Sequence, residues 1–247
     1  MLSTPLLAPL KPPRHTPTAG VVLTSAEADS VAGLLHLREF QPLYIYATAS
    51  VRRILLEENR IFGVLGRANP PAVWHDIPLD AWFTLVSAGS DDSRVSSRCR
   101  AVRLSGGYPD YVSDRLRRSL PPEQAVIALV VAEGTAQMFY APSLPDGSKE
   151  WKDWAQKSDL CLLDGTFWDE HELISEGVSS KTAREIGHIP LSGAGGLLEG
   201  FEVYQPIRRV LIHVNNTNPI LDEDSPEHRQ VLQAGWEIAY DGMEFEL

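Results

Sequence analysis

The stretch "RRVLIHVNNTNPILDEDSPEHRQ", Arg208 to Gln230, decides how the chain is read. It begins as an apolar run with the composition of a core strand. The run stops at His213 and gives way to Asn215, Asn216, Thr217 and Asn218, which can order a tight loop through side-chain to backbone bonds. "SPEHRQVLQAG" then reads as a capped helix. Strand, polar loop and helix in that order form a unit whose connecting loop is a usual place for chemistry. His213 is either a core histidine whose ring bonds a carbonyl or a ligand at a strand end. The asparagines either build the loop alone or orient His213 as well.

The same alternation extends upstream. "LCLLDGTFW" is an apolar strand that ends on Asp164, with Gly165 opening a turn. A carboxylate there needs solvent, a partner or a metal to offset its desolvation, and an Asp-Gly turn is the simpler of these readings. "SKEWKDWAQKSD" is an amphipathic helix with Ser148 as candidate cap, and "AVIALVVAEGTAQMFYAPSL" reads as two strands joined near Gly134. His188, in "GHIPLSG", falls in a loop, where a ligand, an acid/base and an idle exposed imidazole are all compatible with the pattern. "AGGLLEGFEV" begins a helix, and "WEIAYDGMEFEL" reads as a terminal strand.

Toward the other end, "AGVVLT" and "PLYIYAT" are strands. The first leads into "SAEADSVAGLLHLREF", a helix centred on Val31 to Arg38, and the second into "SVRRILLEENRIF", a helix with Ser50 as candidate cap. Glu27 and Asp29 favour the unsatisfied amides of the helix that follows, and also stand where such connections carry chemistry. "AVWHDIPL" and "WFTLVSA" are shorter extended pieces, and "GSDDSRVSS" is a loop or hairpin end. Tyr108 and Tyr111 in "GGYPDY", and Tyr140 in "QMFYAPS", offer aromatic walls for a pocket or simple packing. Arg38, Arg52 and Arg53 either meet an acidic substrate or pair on the surface. No glycine-rich phosphate loop and no Gly-x-Ser-x-Gly elbow occurs.

Composition narrows the class. A chain of 247 residues with 43% hydrophobic residues and six tryptophans folds around a substantial core, expected as one domain over residues 19–247 after a proline-rich entry segment, residues 1–18. A net charge of -11 disfavours a phosphate-tracking surface, so nucleic acid is not an expected partner. Cys99 and Cys161 stand apart without a metal-binding spacing and are expected as buried thiols. No signal-type or spanning apolar run occurs, so the expectation is a cytoplasmic protein without membrane insertion.

The strings "VVLTSAEADSVAGLLHLREFQPLYIYAT", "LLDGTFW", "GHIPLSG", "HVNNTNPILDEDSPE" and "AYDGMEFEL" together resemble the coenzyme PQQ synthesis protein B family, of the metallo-β-lactamase-like superfamily, from about Pro13 to the last residue. The resemblance implies an α/β fold, the αββα sandwich of that superfamily, here N-terminally shortened because the family's glycine-rich and cysteine-rich opening region has no counterpart. The missing sheet edge is either covered differently or, left uncovered, favours a homodimer or aggregation. The superfamily's first metal motif, HxHxDH, is matched by "SAEADS": Ser25 and Glu27 stand in the first two histidine places, Asp29 keeps the aspartate, and Ser30 takes the last histidine place. Asp29, Asp164, His188 and His213 are the metal ligands the resemblance implies, with Glu27 or His188 as catalytic proton acceptor. Tyr108, Tyr111, Tyr140, Asn215 and Asn216 are the substrate-binding candidates.

By the same resemblance the chain works in pyrroloquinoline quinone (PQQ) biosynthesis. The expected reaction is oxygenation of the tyrosine ring of a Glu-Tyr-derived precursor, with Fe(II) as metal, zinc as the other metal the donors suit, and O2 as cosubstrate. The partner is then that peptide-derived precursor or PQQ itself. A carrier or transport protein for PQQ or its precursor is the alternative, and Ser30 in a ligand place favours it. A zinc hydrolase is disfavoured by the missing histidines of the first motif.

Overall fold

The computed structural model describes residues 17–18, 20–37, 42–86, 94–145, 149–201 and 207–247. The chain divides into two compact units: residues 1–101 with 107–127, and residues 102–106 with 128–247.

In the first unit β1 (Gly20–Val22), β2 (Tyr44–Ala47) and β3 (Val73–Asp76) form a parallel sheet in that order. β4 (Trp82–Val86) pairs antiparallel with β5 (Arg94–Leu104), in the register Phe83 to Cys99. The helix expected after β1 is short: α1 (Ala28–Val31) tightens into a 3-10 turn at Ala32–His36, and Arg38 lies outside the described residues. α2 (Ala49–Arg53) is capped by Thr48, whose hydroxyl accepts the Val51 amide at 3.2 Å. Ser50, the expected cap, instead gives its hydroxyl and amide to the Gln124 side chain at 2.8 and 3.0 Å. A wide turn at Ile54–Glu58 and a 3-10 segment at Arg60–Arg67 complete this connection, and α3 (Asp114–Arg117) follows later. The fully buried Ile45, Val51, Ile54 and Leu55 centre the core. Full burial of each such side chain contributes roughly 1.5–3 kcal/mol.

The second unit is built on β6 (Val126–Glu133) from Ala128 onward, β7 (Ala136–Ala141), β8 (Leu160–Asp164), β9 (Arg208–Ile212) and β10 (Glu237–Ile238), adjacent in that order. β6 and β7 form the antiparallel hairpin expected around Gly134, which turns at φ 58°. The later strands run parallel, each reached through helical crossovers. A parallel sheet with helices packed against it buries its strands, which is why "LCLLD" is almost continuously apolar. α4 (Glu150–Ala155) starts from Lys149, and the expected cap Ser148 lies outside the described residues. Trp151 on α4 is buried and joins Phe139, Phe201 and Trp236 in a chain of ring contacts, whereas Trp154 is half-buried under Lys157.

The unit also contains α5 (Glu172–Ser175), α6 (Leu197–Gly200) and α7 (Pro226–Gln233). α7 has both its stops: the Ser225 hydroxyl accepts the His228 amide at 2.9 Å, and Gly235 at φ 76° closes the helix with Gly235 N–H to Leu232 and Trp236 N–H to Val231. The terminal strand is shorter than "WEIAYDGMEFEL" promised, because only Glu237 and Ile238 pair with β9. Cys99 and Cys161 are buried free thiols, and burial pushes Cys161 up to about 12. Among the described residues, no helix is long and apolar enough to cross a membrane.

Candidate metal centre

Asp164 is the last residue of β8 and is wholly buried. A buried carboxylate needs hydrogen-bond donors, and this one has four. Its Oδ1 accepts the Thr166 amide at 3.1 Å and the Thr166 hydroxyl at 2.6 Å. Its Oδ2 accepts the Leu144 amide at 2.8 Å and lies 2.7 Å from Nδ1 of His188. The turn after the strand is therefore an Asp-Gly-Thr turn that folds back on its own aspartate, and it also offers that aspartate to a second loop.

The loop carrying His188 is fastened on two sides. Ile189 N–H reaches the Leu144 carbonyl at 2.8 Å, while Leu191 and Ser192 N–H reach the Phe167 and Trp168 carbonyls at 2.9 and 2.8 Å. Gly187, at φ 92°, makes the left-handed turn that lets the chain enter this clamp. His188 is held with Phe167 edge-on to its ring at 5.6 Å, and its side chain keeps 13% of its exposure.

His213 follows the last residue of β9, and its backbone sits at φ 56°. A left-handed conformation at a residue with a Cβ is uncommon and costs about 1 kcal/mol or more. The surroundings impose it. β8 and β9 are in register as Asp164 to Ile212, the Gly165 amide bonds the Ile212 carbonyl at 2.8 Å, and the Asn215 amide bonds the Thr166 carbonyl at 3.1 Å. The two chains thus stay zipped beyond their strands, and His213 absorbs the twist between the two contacts. Gly165 permits this closeness: a Cβ there would stand 3.0 Å from Leu211 Cβ and 3.1 Å from the Ile212 carbonyl oxygen.

These elements converge on one group. Ligand atoms of Asp164, His188 and His213 lie within 4.8 Å of one another, and the two imidazoles stack at 5.8 Å with 18° between planes. One carboxylate and two imidazoles fit a divalent metal: ligand bonds of about 2.0–2.2 Å put donor atoms at most about 4.4 Å apart, within a small side-chain adjustment of this spacing. Three of the four residues expected as ligands are thus brought together. Asp29 belongs to the first unit, where it is exposed in the first turn of α1 and its Oδ1 accepts the Ser30 amide at 2.7 Å.

The other expected residues divide by what they touch. Glu27 is the exposed N-cap residue of α1, without a side-chain cap bond. The Tyr108 hydroxyl donates to the Pro121 carbonyl, and that of Tyr111 donates to the Ala26 carbonyl. Both therefore fasten backbone within the first unit. Burial, then the Glu27 charge, pushes Tyr111 up to about 12. Tyr140 pairs with Leu162 on β8, which puts it on the same sheet face as Asp164, one residue pair back from the strand end. Burial raises its phenol above the usual range. Arg52 pairs with Asp76 at 3.1 Å and Arg53 with Glu57 at 2.9 Å.

Of the loop asparagines, Asn215 donates to the Thr217 hydroxyl at 2.6 Å, and that hydroxyl donates to Glu172. Asn216 is exposed. Asn218 does what the sequence expected of this loop, bonding side chain to backbone: it is buried and donates to the Gly165 and Thr166 carbonyls at 2.9 and 3.3 Å. Sequence reasoning missed the buried Glu172, which accepts the Trp168 amide at 2.6 Å, and it missed Thr166. The signal for Thr166 was present, since a threonine two residues after a strand-end aspartate is placed to bond back to it.

Comparison with known proteins places the chain in a family. Residues 2–214 match a family model described as a Beta-lactamase superfamily domain. The chain is 40% identical over 243 residues to the coenzyme PQQ synthesis protein B of Azoarcus sp. (strain BH72), covering 97% of this chain and 77% of that protein. It is 37% identical over 241 residues to the protein of the same name from Gluconacetobacter diazotrophicus, with the same two coverages. The crystal structure of Zn(2+)-bound PqqB from Methylobacterium extorquens superposes with a TM-score of 0.84 at 30% identity, over 99% of this chain and 78% of that one. The metallo-beta-lactamase fold protein YhfI from Bacillus subtilis, at 11% identity and a TM-score of 0.56, shares the fold alone, over 90% of this chain and 73% of that one. The expected α/β metallo-β-lactamase-like fold is therefore shown, and the chain belongs to the coenzyme PQQ synthesis protein B family of the metallo-β-lactamase superfamily.

Proposed function

We propose that this chain serves PQQ biosynthesis as a metal-dependent oxygenase of the tyrosine ring in a Glu-Tyr-derived precursor. The observation that carries the reading is the group Asp164, His188 and His213 in a chain of this family. Two imidazoles and one carboxylate are the donor set that suits Fe(II) in O2-activating sites, and such an ion, when bound, supplies the oxygen chemistry. Zinc suits the same donors, and the related protein from Methylobacterium extorquens is described as Zn(2+)-bound.

The residues' own work is positioning and charge. Asp164 brings a negative charge that the Leu144 and Thr166 amides hold in one orientation. Its 2.7 Å contact with His188 fixes that imidazole's plane. Tyr140, on the same sheet face, offers an aromatic wall against which a phenol ring can lie.

The test starts with anaerobic purification, elemental analysis and Fe(II) titration of the wild type, Asp164→Ala and His213→Ala. Stoichiometric iron in the wild type and at least about a tenfold loss of affinity in each variant are expected. Unchanged iron in both folded variants would refute the ligand assignment. Turnover is then read with a Glu-Tyr peptide, 18O-labelled O2 and ascorbate as electron donor, since inserting one oxygen atom leaves the other to be reduced to water. One specific observation favours the carrier reading: the places of Ser25, Glu27 and Ser30 hold no imidazole. PQQ binding without metal uptake or label incorporation would select it.

A further inference from the structure

Thr166 contacts two of the three clustered residues with a single atom. Its Oγ1 is 2.6 Å from Asp164 Oδ1 and 2.8 Å from Nδ1 of His213. A hydroxyl has one hydrogen to give. Of its possible acceptors, the buried carboxylate is the strongest, because a charge-assisted bond is short and about twice as strong as a neutral one. The His213 carbonyl, at 3.0 Å, is the weaker claimant on the same hydrogen. With that hydrogen committed to Asp164, Oγ1 faces His213 with a lone pair, so Nδ1 must carry a proton. An imidazole with its proton on Nδ1 has its donor lone pair on Nε2.

We infer that Thr166 is a positioning residue for the metal centre, holding His213 as the Nδ1–H tautomer so that Nε2 is presented to the ion. The Thr166 amide, bonded to the same Oδ1, and Asn218, bonded to the Gly165 and Thr166 carbonyls, anchor the backbone that aims the hydroxyl. Thr166 itself is buried, and His213 is exposed. The consequence for metal binding rests on the reading of Asp164, His188 and His213 as ligands, whereas the tautomer is a property of the metal-free protein.

The experiment compares wild type, Thr166→Val and Thr166→Ser in the full chain. Long-range 1H–15N correlation spectra of metal-free protein, with His213 assigned by the signals lost in His213→Asn, report which ring nitrogen carries hydrogen. Titration with zinc alone reports affinity. The expected result is Nδ1–H in the wild type and in Thr166→Ser. In Thr166→Val that tautomer is lost and zinc binding falls by about 10–100-fold, whereas Thr166→Ser stays within less than about tenfold of the wild type. An Nε2–H wild type, or an Nδ1–H tautomer that survives in Thr166→Val, overturns the inference. If Thr166→Val does not fold, Thr166→Ala takes its place, and the wild-type spectrum alone can still refute. A wild type that takes up neither zinc nor iron overturns the metal reading, and the tautomer still decides the role of Thr166.

Discussion

Replacing Gly165 with alanine tests whether the close approach of β8 and β9 sets the metal centre. The new Cβ would lie 3.0 Å from Leu211 Cβ, 3.1 Å from the Ile212 carbonyl oxygen and 3.3 Å from Val214 Cγ2, all inside the 3.4 Å at which ordinary contact begins. Two of the three neighbours are backbone or Cβ atoms, which no rotamer change can move. The strand ends must therefore separate by a few tenths of an ångström. Overpacking of this kind costs about 1–3 kcal/mol, and the stiffer unfolded chain returns roughly 0.4–1 kcal/mol. The net loss is about 1–2 kcal/mol, or a fall in Tm of roughly 2–8 °C for a chain of this size. Because Ile212 and Val214 flank His213, zinc affinity should fall roughly tenfold as well. Differential scanning calorimetry of metal-free protein and zinc titration give the two numbers. Gly200→Ala is the control, since its Cβ would meet nothing nearer than 3.8 Å. A Gly165→Ala protein with Tm and zinc affinity no further from wild type than this control would refute the argument that strand spacing places His213.

Two further outcomes follow from the same geometry. His213→Gly and His213→Ala should both lose the metal, but in urea denaturation the glycine variant should be more stable by about 1 kcal/mol, because only glycine adopts φ 56° without strain; equal stability would remove the strain from the account. Glu172 is held above the ordinary glutamate range, first by burial and then by the Asp169 and Glu176 charges, against the opposing Thr217 and Trp168 bonds. The folded state therefore holds the proton more tightly than the unfolded one, and this contribution is full below about pH 4.3, then lost as pH rises through the raised folded value. Glu172→Gln should gain stability relative to wild type as pH rises across that window, which urea midpoints from pH 4 to 7 would show; a constant difference would contradict it.

The sequence alone determined the elements whose cause is local. Buried strands such as "LCLLD" are legible because nearly every residue before the strand end must be apolar, and α7 is legible because Ser225 and Gly235 mark its ends. The same logic exposed Asp164 and His213 as polar groups at the ends of apolar runs. It failed where two local candidates competed, as at Thr48 and Ser50: either hydroxyl can cap a helix, and only Gln124, 74 residues away, decided that Ser50 had another partner. It failed again for the terminal strand, whose alternating pattern allowed a longer element than the two residues that pair with β9.

What only the tertiary structure decided is the meeting of residues from three loops. Leu144 clamps the His188 loop against Asp164, the missing Cβ of Gly165 lets β9 bring His213 close, and Thr166 joins the two with one hydroxyl. The physical reason is that a hydrogen-bond partner is set by distance in space. In one dimension a strand-end histidine bonded to a core carbonyl and one bonded beside a metal centre are written identically, and packing alone tells them apart.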